Sequence, residues 1–576
     1  MAPVAACAKK QGCGRSFFVI LSAERCDIMR DFHVTIDDQT PSDSEAPDPV
    51  PANRIENQTP ASVISKPFRS VLFPSSASET VCEKSEPPDF FKDLSLDRIV
   101  QEVIVGWREY DLARFFYAGP CDMRTIAYRQ QVMKDIEDDH LMRAIQSFTS
   151  EMKRMRALLS QIKDNNYRYQ GERFLLSAAV IYCQAVAALK RDIAEINLGS
   201  RGMRAFRRFL DEYAASDPFN ELVKDASTLQ DEISAIHYCL FIKDDSITVR
   251  DYDSEEDYNA VIERTFEKFR GGEARNYRVR NQHESGMNHI QEQVVIQIAR
   301  LHPETFRKLE TFFRKHADFP EDTIVRFDEE VQFYLSYLAH IRQFQNTGLA
   351  FCYPRLTRKS KEIECRGAFD LALADKLLRE KKKIVANDFF LRGAERIAVV
   401  SGPNHGGKTT FARTIGQILY LSSLGLPVPS ESARLFLPDR IFTHFEREED
   451  ISTLRGKLAD DLMRMRRIFD QSTPSSVVII NEIFSSATEK DAIYLGRRVL
   501  ERVSALDMIC VCVTFLDELA SFNEKTVSMV SMVDPDNPAI RTYKLVRKPA
   551  DGLAYAIAIA EKHHLTYQWL KNRIQA

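Results

Sequence analysis

Apolar residues recur at helical spacing along the first two thirds of the chain. Leu141, Ile145, Phe148, Met152, Met155, Leu159 and Ile162 alternate steps of four and three, which lays one stripe along a long helix. Leu222, Ala226, Leu229, Ile233, Ile236 and Leu240 repeat the pattern, so a second long helix is expected there. Residues 89–364 therefore read as a mostly α-helical, elongated region. One break interrupts it: Ser246, Ile247, Thr248, Val249 and Arg250 alternate like a short strand, and acidic DYDSEED follows. From about residue 365 the period changes. Short β-branched runs at residues 397–401, 477–480 and 508–514 alternate with helical patterns, the mark of an α/β domain with a largely parallel sheet. That domain is expected over 365–550, with a helical element over 551–576. Residues 1–88 read as a disordered or low-complexity leader, because 30–88 are rich in Pro, Ser, Asp and Glu and such a segment buries too little apolar surface to fold alone. Order is expected to begin near Phe90.

Composition narrows this only a little. With 576 residues, 44% hydrophobic and 28% charged, the chain is of ordinary globular make-up, and its length suggests about two to four domains. A net charge of −4 gives no global pull toward nucleic acid, so such a partner needs a local basic patch. A candidate patch is Arg264, Lys268, Arg270, Arg275, Arg278 and Arg280, interleaved with Phe266, Phe269 and Tyr277 in a clamp-like insertion near 240–285. It reads either as a solvated charged face or as a tip that grips a nucleic-acid backbone. The eleven cysteines include no C-x-x-C pair, which speaks against a zinc ribbon, and their odd number speaks against a disulfide framework. Cys510 and Cys512 are expected as buried core thiols, in keeping with a reducing cytoplasm. No run of eighteen or more apolar residues occurs, so no membrane span is expected. The apolar run at 17–23 is short for a signal peptide and meets Glu24 and Arg25 at once; translation from Met29 is an alternative start.

Gly402, Pro403, Asn404, His405, Gly406, Gly407, Lys408 and Thr409 satisfy G-x-x-x-x-G-K-[ST]. They follow the run 397–401 and precede a helix expected over 410–424, which is the context a phosphate-binding loop requires. Glycines let backbone N–H groups converge on phosphate oxygens, and the helix N-terminus, with Thr410 in its first turn, adds a favourable dipole. Lys408 would neutralise β- and γ-phosphate charge, and the Thr409 hydroxyl would be a magnesium ligand. The apolar run 477–480 ends in Asn481 and Glu482. At the carboxyl end of a parallel strand Glu482 should face the loop, where a carboxylate can orient the attacking water. Asn481 stands where an aspartate usually holds magnesium; it keeps an acceptor oxygen but loses the charge. The alternative for Glu482 is a plain surface acid. His405, at a variable position of the motif, is expected to have no catalytic role, and His563 and His564, adjacent on a helix, are expected to diverge rather than share a metal.

The stretch SGPNHGGKTTFARTIGQ resembles the loop of the MutS family, and the resemblance continues through Asp439-Arg440-Ile441-Phe442-Thr443, Glu449-Asp450-Ile451-Ser452 and NEIFSSAT. Val385-Ala386-Asn387-Asp388 resembles the segment such proteins pack against the nucleotide base, which makes Asn387 a nucleotide-binding candidate. LSLDRIVQEV and AYRQQVMKDIED look like the variant core of shorter bacterial relatives. The resemblance implies an ABC-type P-loop ATPase domain behind a helical core, lever and clamp, using ATP and Mg²⁺. It implies a head-to-tail homodimer in which Ser452, Thr453 and Arg455 of one copy reach the γ-phosphate held by the other. It also implies double-stranded or structured DNA as partner in repair or recombination, and a cytoplasmic, nucleoid-associated location. The segment from Asp551 to Tyr555 and the helix beyond resemble the family's dimerisation element; an amphipathic helix without a partner is the alternative.

Several positions depart from the family pattern. Only the leader precedes the helical region and the chain ends at Ala576, leaving no room for the family's mismatch-reading domain or a Smr domain. Phe327-Asp328-Glu329 matches the short mismatch-wedge pattern but lies in helical sequence. Phe515 stands at the place of the switch histidine and Leu454 where the signature glycine is usual. With Asn481, these changes imply slow hydrolysis. An ATP-binding scaffold or conformational switch with little hydrolysis, acting on RNA or ribosomes, is the competing expectation.

Overall fold

The computed structural model describes residues 17–22, 68–75, 86–163, 167–243, 246–253, 288–446, 456–534, 537, 540–550 and 565–575. The chain divides into two compact units, one of residues 1–67, 142–196 and 207–322, the other of 68–141, 197–206 and 323–576.

In the first unit the helices Arg168–Ala194, Asp217–Ser234 and Pro303–Lys315 pack together. Tyr182 anchors them: its hydroxyl lies 2.9 Å from that of Tyr213 and its ring meets Phe219 and Phe319 edge-on. By length and composition Arg168–Ala194 could cross a membrane, with mean hydropathy 1.4 over its best window, which the sequence reading overlooked. Leu175, Leu176, Ala179, Val186 and Leu189 are buried in the fold, as in the core helix of a bundle. Strands β1 (Phe17–Ser22), β2 (His237–Lys243) and β3 (Ser246–Asp251) form an antiparallel sheet in that order. Helix His289–Leu301 covers it through Val294 and Ile298, which meet Ile236, Tyr238 and Leu240.

That sheet corrects two expectations. The stripe drawn from Leu222 to Leu240 is not one helix: the helix stops at Ser234, and Leu240 lies in β2. Helical periodicity cannot see that the continuous apolar run Tyr238, Cys239, Leu240 and Phe241 serves as a central strand once β1 and β3 pair with it. The apolar run at 17–22 is a strand of the fold rather than part of a featureless leader.

The second unit is built on a six-stranded sheet. Its strands are β7 (Ile397–Ser401), β9 (Ile441–Phe445), β10 (Val477–Asn481), β11 (Ile509–Val513), β12 (Thr526–Val533) and β13 (Arg541–Arg547). They lie in the order β13-β12-β7-β11-β10-β9. All pair in parallel except β13, which is antiparallel to β12. Every residue of β7, β10 and β11 is buried, which explains their continuous apolar sequences: a parallel sheet is covered on both faces. Cys510 and Cys512 are free core thiols. A second sheet contains β4 (Arg355–Thr357), β5 (Ile363–Ala368), β6 (Asn387–Leu391) and β8 (Ser432–Phe436), in the order β4-β8-β5-β6. Strand structure thus begins ahead of the expected boundary at 365.

Packing also begins well before Phe90. Val71, Leu72 and Phe73 are buried, and their backbone is held by side chains far away in sequence. Glu330 accepts from Ser70 Oγ and from the Val71 N–H, both at 2.8 Å. Tyr334 donates to the Val71 carbonyl at 2.8 Å, and Arg129 donates through Nε to that of Leu72 at 3.1 Å. Burial pushes the Glu330 carboxyl up to about 7. The expected leader boundary at 88 fails here because no local periodicity marks a strap that satisfies its polar groups through distant partners.

Candidate functional site

The carboxyl ends of β7, β11 and β10 lie side by side, and three segments emerge from them: 402–407, 514–516 and 482–485. The first is a loop that only glycine-rich sequence permits. Gly402 has φ 113° and Gly407 φ 93°, and His405 joins them in left-handed space at φ 59°. β12 presses on the loop from one side. A Cβ on Gly402 would stand 3.0 Å from the Ser531 carbonyl oxygen, and one on Gly406 would overlap the Ser531 hydroxyl. Instead, Ser531 Oγ donates to the Gly406 carbonyl at 2.6 Å, and Arg541 Nε donates to that of Asn404 at 3.2 Å. Gly407 then caps the helix Lys408–Ser423, which starts two residues earlier than expected. Asn404 and His405 are exposed, while Pro403 and Lys408 are buried.

Lys408 is 4% exposed. Its ammonium donates to the carbonyls of Gly402 at 2.8 Å and Pro403 at 3.1 Å and sits 4.2 Å from the centre of the Phe515 ring. Burial pulls its pKa down to about 8; the charges of Glu482 and Asp517 oppose that and Arg541 adds to it. Thr409 Oγ1 donates to Asn481 Oδ1 at 2.8 Å, so the residue after the lysine meets the end of β10 across β11. Glu482 follows with φ 55°, its N–H bonded to the Val513 carbonyl at 2.9 Å. That left-handed turn is costly for a non-glycine residue and belongs with the strained conformations found at working sites. Burial raises the Glu482 pKa, with Lys408 opposing and Glu446 reinforcing the rise. Glu446 is held low by Lys457, the first residue of helix Lys457–Gln471, and by Ser485.

The sequence-derived candidates divide accordingly. Lys408, Thr409, Asn481 and Glu482 come together. Asn387, at the start of β6, is engaged by β13: its Nδ2 donates to the Tyr543 carbonyl at 3.1 Å and its Oδ1 accepts from the Leu545 N–H at 2.9 Å. Both ends of the amide take part in clasping two strands, and each still has one further bond to give. Thr410 lies in the first helical turn, where its carbonyl accepts from Thr414. Ser452, Thr453, Leu454 and Arg455 lie outside the described residues, as do Arg264, Lys268, Arg270, Arg275, Arg278 and Arg280, residues 551–555, His563 and His564. Sequence reading missed Ser531, Arg541 and Tyr543, the last with φ 57° and its side chain beside Gly407. No local signal points to them, since β12 and β13 reach the loop through strand pairing. Among the described residues no group of three His, Cys, Asp or Glu could hold a metal ion. Thr409 and Asn481 offer a hydroxyl and an amide oxygen, neutral donors that suit a magnesium ion brought in by phosphates better than one held by protein charge.

Comparison with known proteins finds relatives over this part of the chain. Residues 398–573 match the family model described as MutS domain V. The chain is 32% identical over 190 residues to Endonuclease MutS2 of Thermus thermophilus, covering 32% of this chain and 25% of that protein. It is 29% identical over 196 residues to DNA mismatch repair protein MutS of Orientia tsutsugamushi, covering 33% of this chain and 22% of that protein. A third relative, DNA mismatch repair protein MutS of Erythrobacter litoralis, is 26% identical over 216 residues, 37% of this chain and 24% of its own length. The chain thus spans about a quarter of the length of these relatives. The matched region holds the glycine loop, the end of β10 and the turn after β11, so this part of the chain is similar to MutS domain V.

Proposed function

We propose that the chain binds ATP with Mg²⁺ in the loop 402–409, hydrolyses it slowly, and couples that cycle to a DNA partner and to pairing with a second copy of itself. The carrying observation is the buried Lys408 ammonium, whose contacts are two carbonyls and a ring, set beside a Thr409 hydroxyl that touches the end of β10. A buried cation with no ion-pair partner among the described residues is costly, and the phosphates of a nucleotide would relieve it. The loop's N–H groups and the helix start supply the remaining grip.

In this reading Thr409 and Asn481 would hold the magnesium ion that arrives with the nucleotide, and the ion would supply charge stabilisation at the terminal phosphate. Glu482, half-buried with its pKa raised, orients and polarises the attacking water. Asn481 contributes no charge to the metal and Phe515 no hydrogen bond to the phosphate, so turnover is slow. The same two residues favour a second reading, a nucleotide-gated scaffold that barely hydrolyses. DNA as partner is supported by the names of the relatives in mismatch repair; structured RNA is the competitor. A cytoplasmic location goes with both.

The test is ATP turnover by the full chain with Mg²⁺, alone and with duplex, branched and single-stranded DNA and structured RNA, with Lys408→Ala as control. We expect slow turnover, changed several-fold by one form of DNA and absent in Lys408→Ala. Nucleotide binding without turnover under any condition would favour the scaffold. Turnover indifferent to every nucleic acid would remove the DNA partner, and turnover surviving in Lys408→Ala would displace the site.

A further inference from the structure

Phe515 is placed by a turn that is anchored on both sides. The Thr514 N–H donates to the Val400 carbonyl at 3.1 Å, joining the turn to β7. Thr514 Oγ1 accepts from the Leu516 N–H at 3.0 Å, a local side-chain turn. Leu516 packs on the core beneath the sheet, and its carbonyl accepts from the Leu519 N–H at 3.1 Å. Between these two anchored residues Phe515 projects at the carboxyl edge of the sheet with its side chain half in solvent. An ammonium has three donors. Two of those of Lys408 go to Gly402 and Pro403, and the face of the Phe515 ring lies on a further side. That side belongs to β11, which stands between the loop strand β7 and Glu482 at the end of β10.

We propose that Phe515 is a specificity-determining residue: its ring covers the face of Lys408 that a terminal phosphate needs, so the single chain favours a nucleoside diphosphate over the triphosphate. This rests on the nucleotide reading above. The inner phosphates draw on the loop's N–H groups and the helix start, so the ring bears on the terminal phosphate. To reach the ammonium, that phosphate must turn the ring aside and forfeit its contact with the cation, and the ring returns no hydrogen bond. An aromatic face is attracted to a buried ammonium even where the ring's other side meets solvent. Because the backbone on both sides is hydrogen-bonded, rotation of the side chain is the least disruptive way to clear the ring.

The test is calorimetric titration of the full chain, with Mg²⁺, by ADP and by a non-hydrolysable ATP analogue. Wild type should bind ADP at least as tightly as the triphosphate. Phe515→Ala and Phe515→His should shift the ratio toward the triphosphate by about 3- to 10-fold, with ADP binding little changed. Phe515→Trp, which keeps an aromatic face, should retain the wild-type preference. An unchanged ratio in Phe515→Ala, or a triphosphate weakened by it, overturns the inference while leaving the nucleotide site in place. Failure of folded wild type to bind either nucleotide overturns both.

Discussion

The pKa of Lys408, pulled down to about 8 by burial, ties the chemistry of one amine to the affinity of the whole site. The nucleotide binds the charged form and, by adding negative charge beside it, raises the amine's pKa in the complex. Binding therefore takes up a proton above pH 8. Affinity should be nearly flat from pH 7 to 8 and then fall, approaching about tenfold per pH unit as the free-state amine loses its proton. Calorimetry at pH 7, 8 and 9 in buffers of different ionisation heat would show both the fall and the proton uptake. A flat profile would mean that Lys408 stays charged throughout. At this scale the loop was legible in the sequence, because a phosphate cradle is a local object: its glycines, lysine and threonine are contiguous. Phe515 was legible as a substitution, but not its place over Lys408, which depends on β11 lying beside β7.

The helix Lys408–Ser423 connects the loop to the rest of its unit. Arg129, fully buried, donates to the Leu424 carbonyl at 3.2 Å, a cation at the helix C-terminus where the dipole favours it. Asp370 accepts from Arg413 and Gln417 on the same helix while capping the helix Leu371–Arg379. Midway, Gly416 lets the helix close on its neighbours: a Cβ there would lie 2.5 Å from Leu94 Cδ2 and 2.7 Å from Ile479 Cδ1. Gly416→Ala improves helix propensity by about 1 kcal/mol, but overpacking of this kind costs about 1–3 kcal/mol. We expect a lower urea midpoint in the variant; an equal or higher one would show that Leu94 and Ile479 yield without strain. The element-level reading succeeded for β7, β10 and β11, whose buried runs are continuous. It failed for β2, which pairs on one side with the distant β1, and for the strap at 68–73, whose partners are remote in sequence.

On the scale of the molecule, the proposed switch predicts that assembly follows the nucleotide. Glu482→Gln removes the group assigned to the attacking water while keeping the loop, so it should hold the triphosphate. Sedimentation velocity in Mg²⁺ and ATP should then show a species of twice the chain mass, absent with ADP and absent in Lys408→Ala. A Glu482→Gln variant that binds ATP yet sediments as a single chain throughout would reject the pairing. Short-range order was determined by the sequence alone: helical stripes, buried parallel strands and the phosphate-type loop each rest on residues adjacent in the chain or one helical turn apart. Only the tertiary structure decided which distant groups meet, namely Thr409 with Asn481, Ser531 with Gly406, Asn387 with β13 and Phe515 with Lys408. The physical reason is that strand order and register are set by the burial of whole faces, and a polar group placed by that burial takes whichever partner the packing brings within reach.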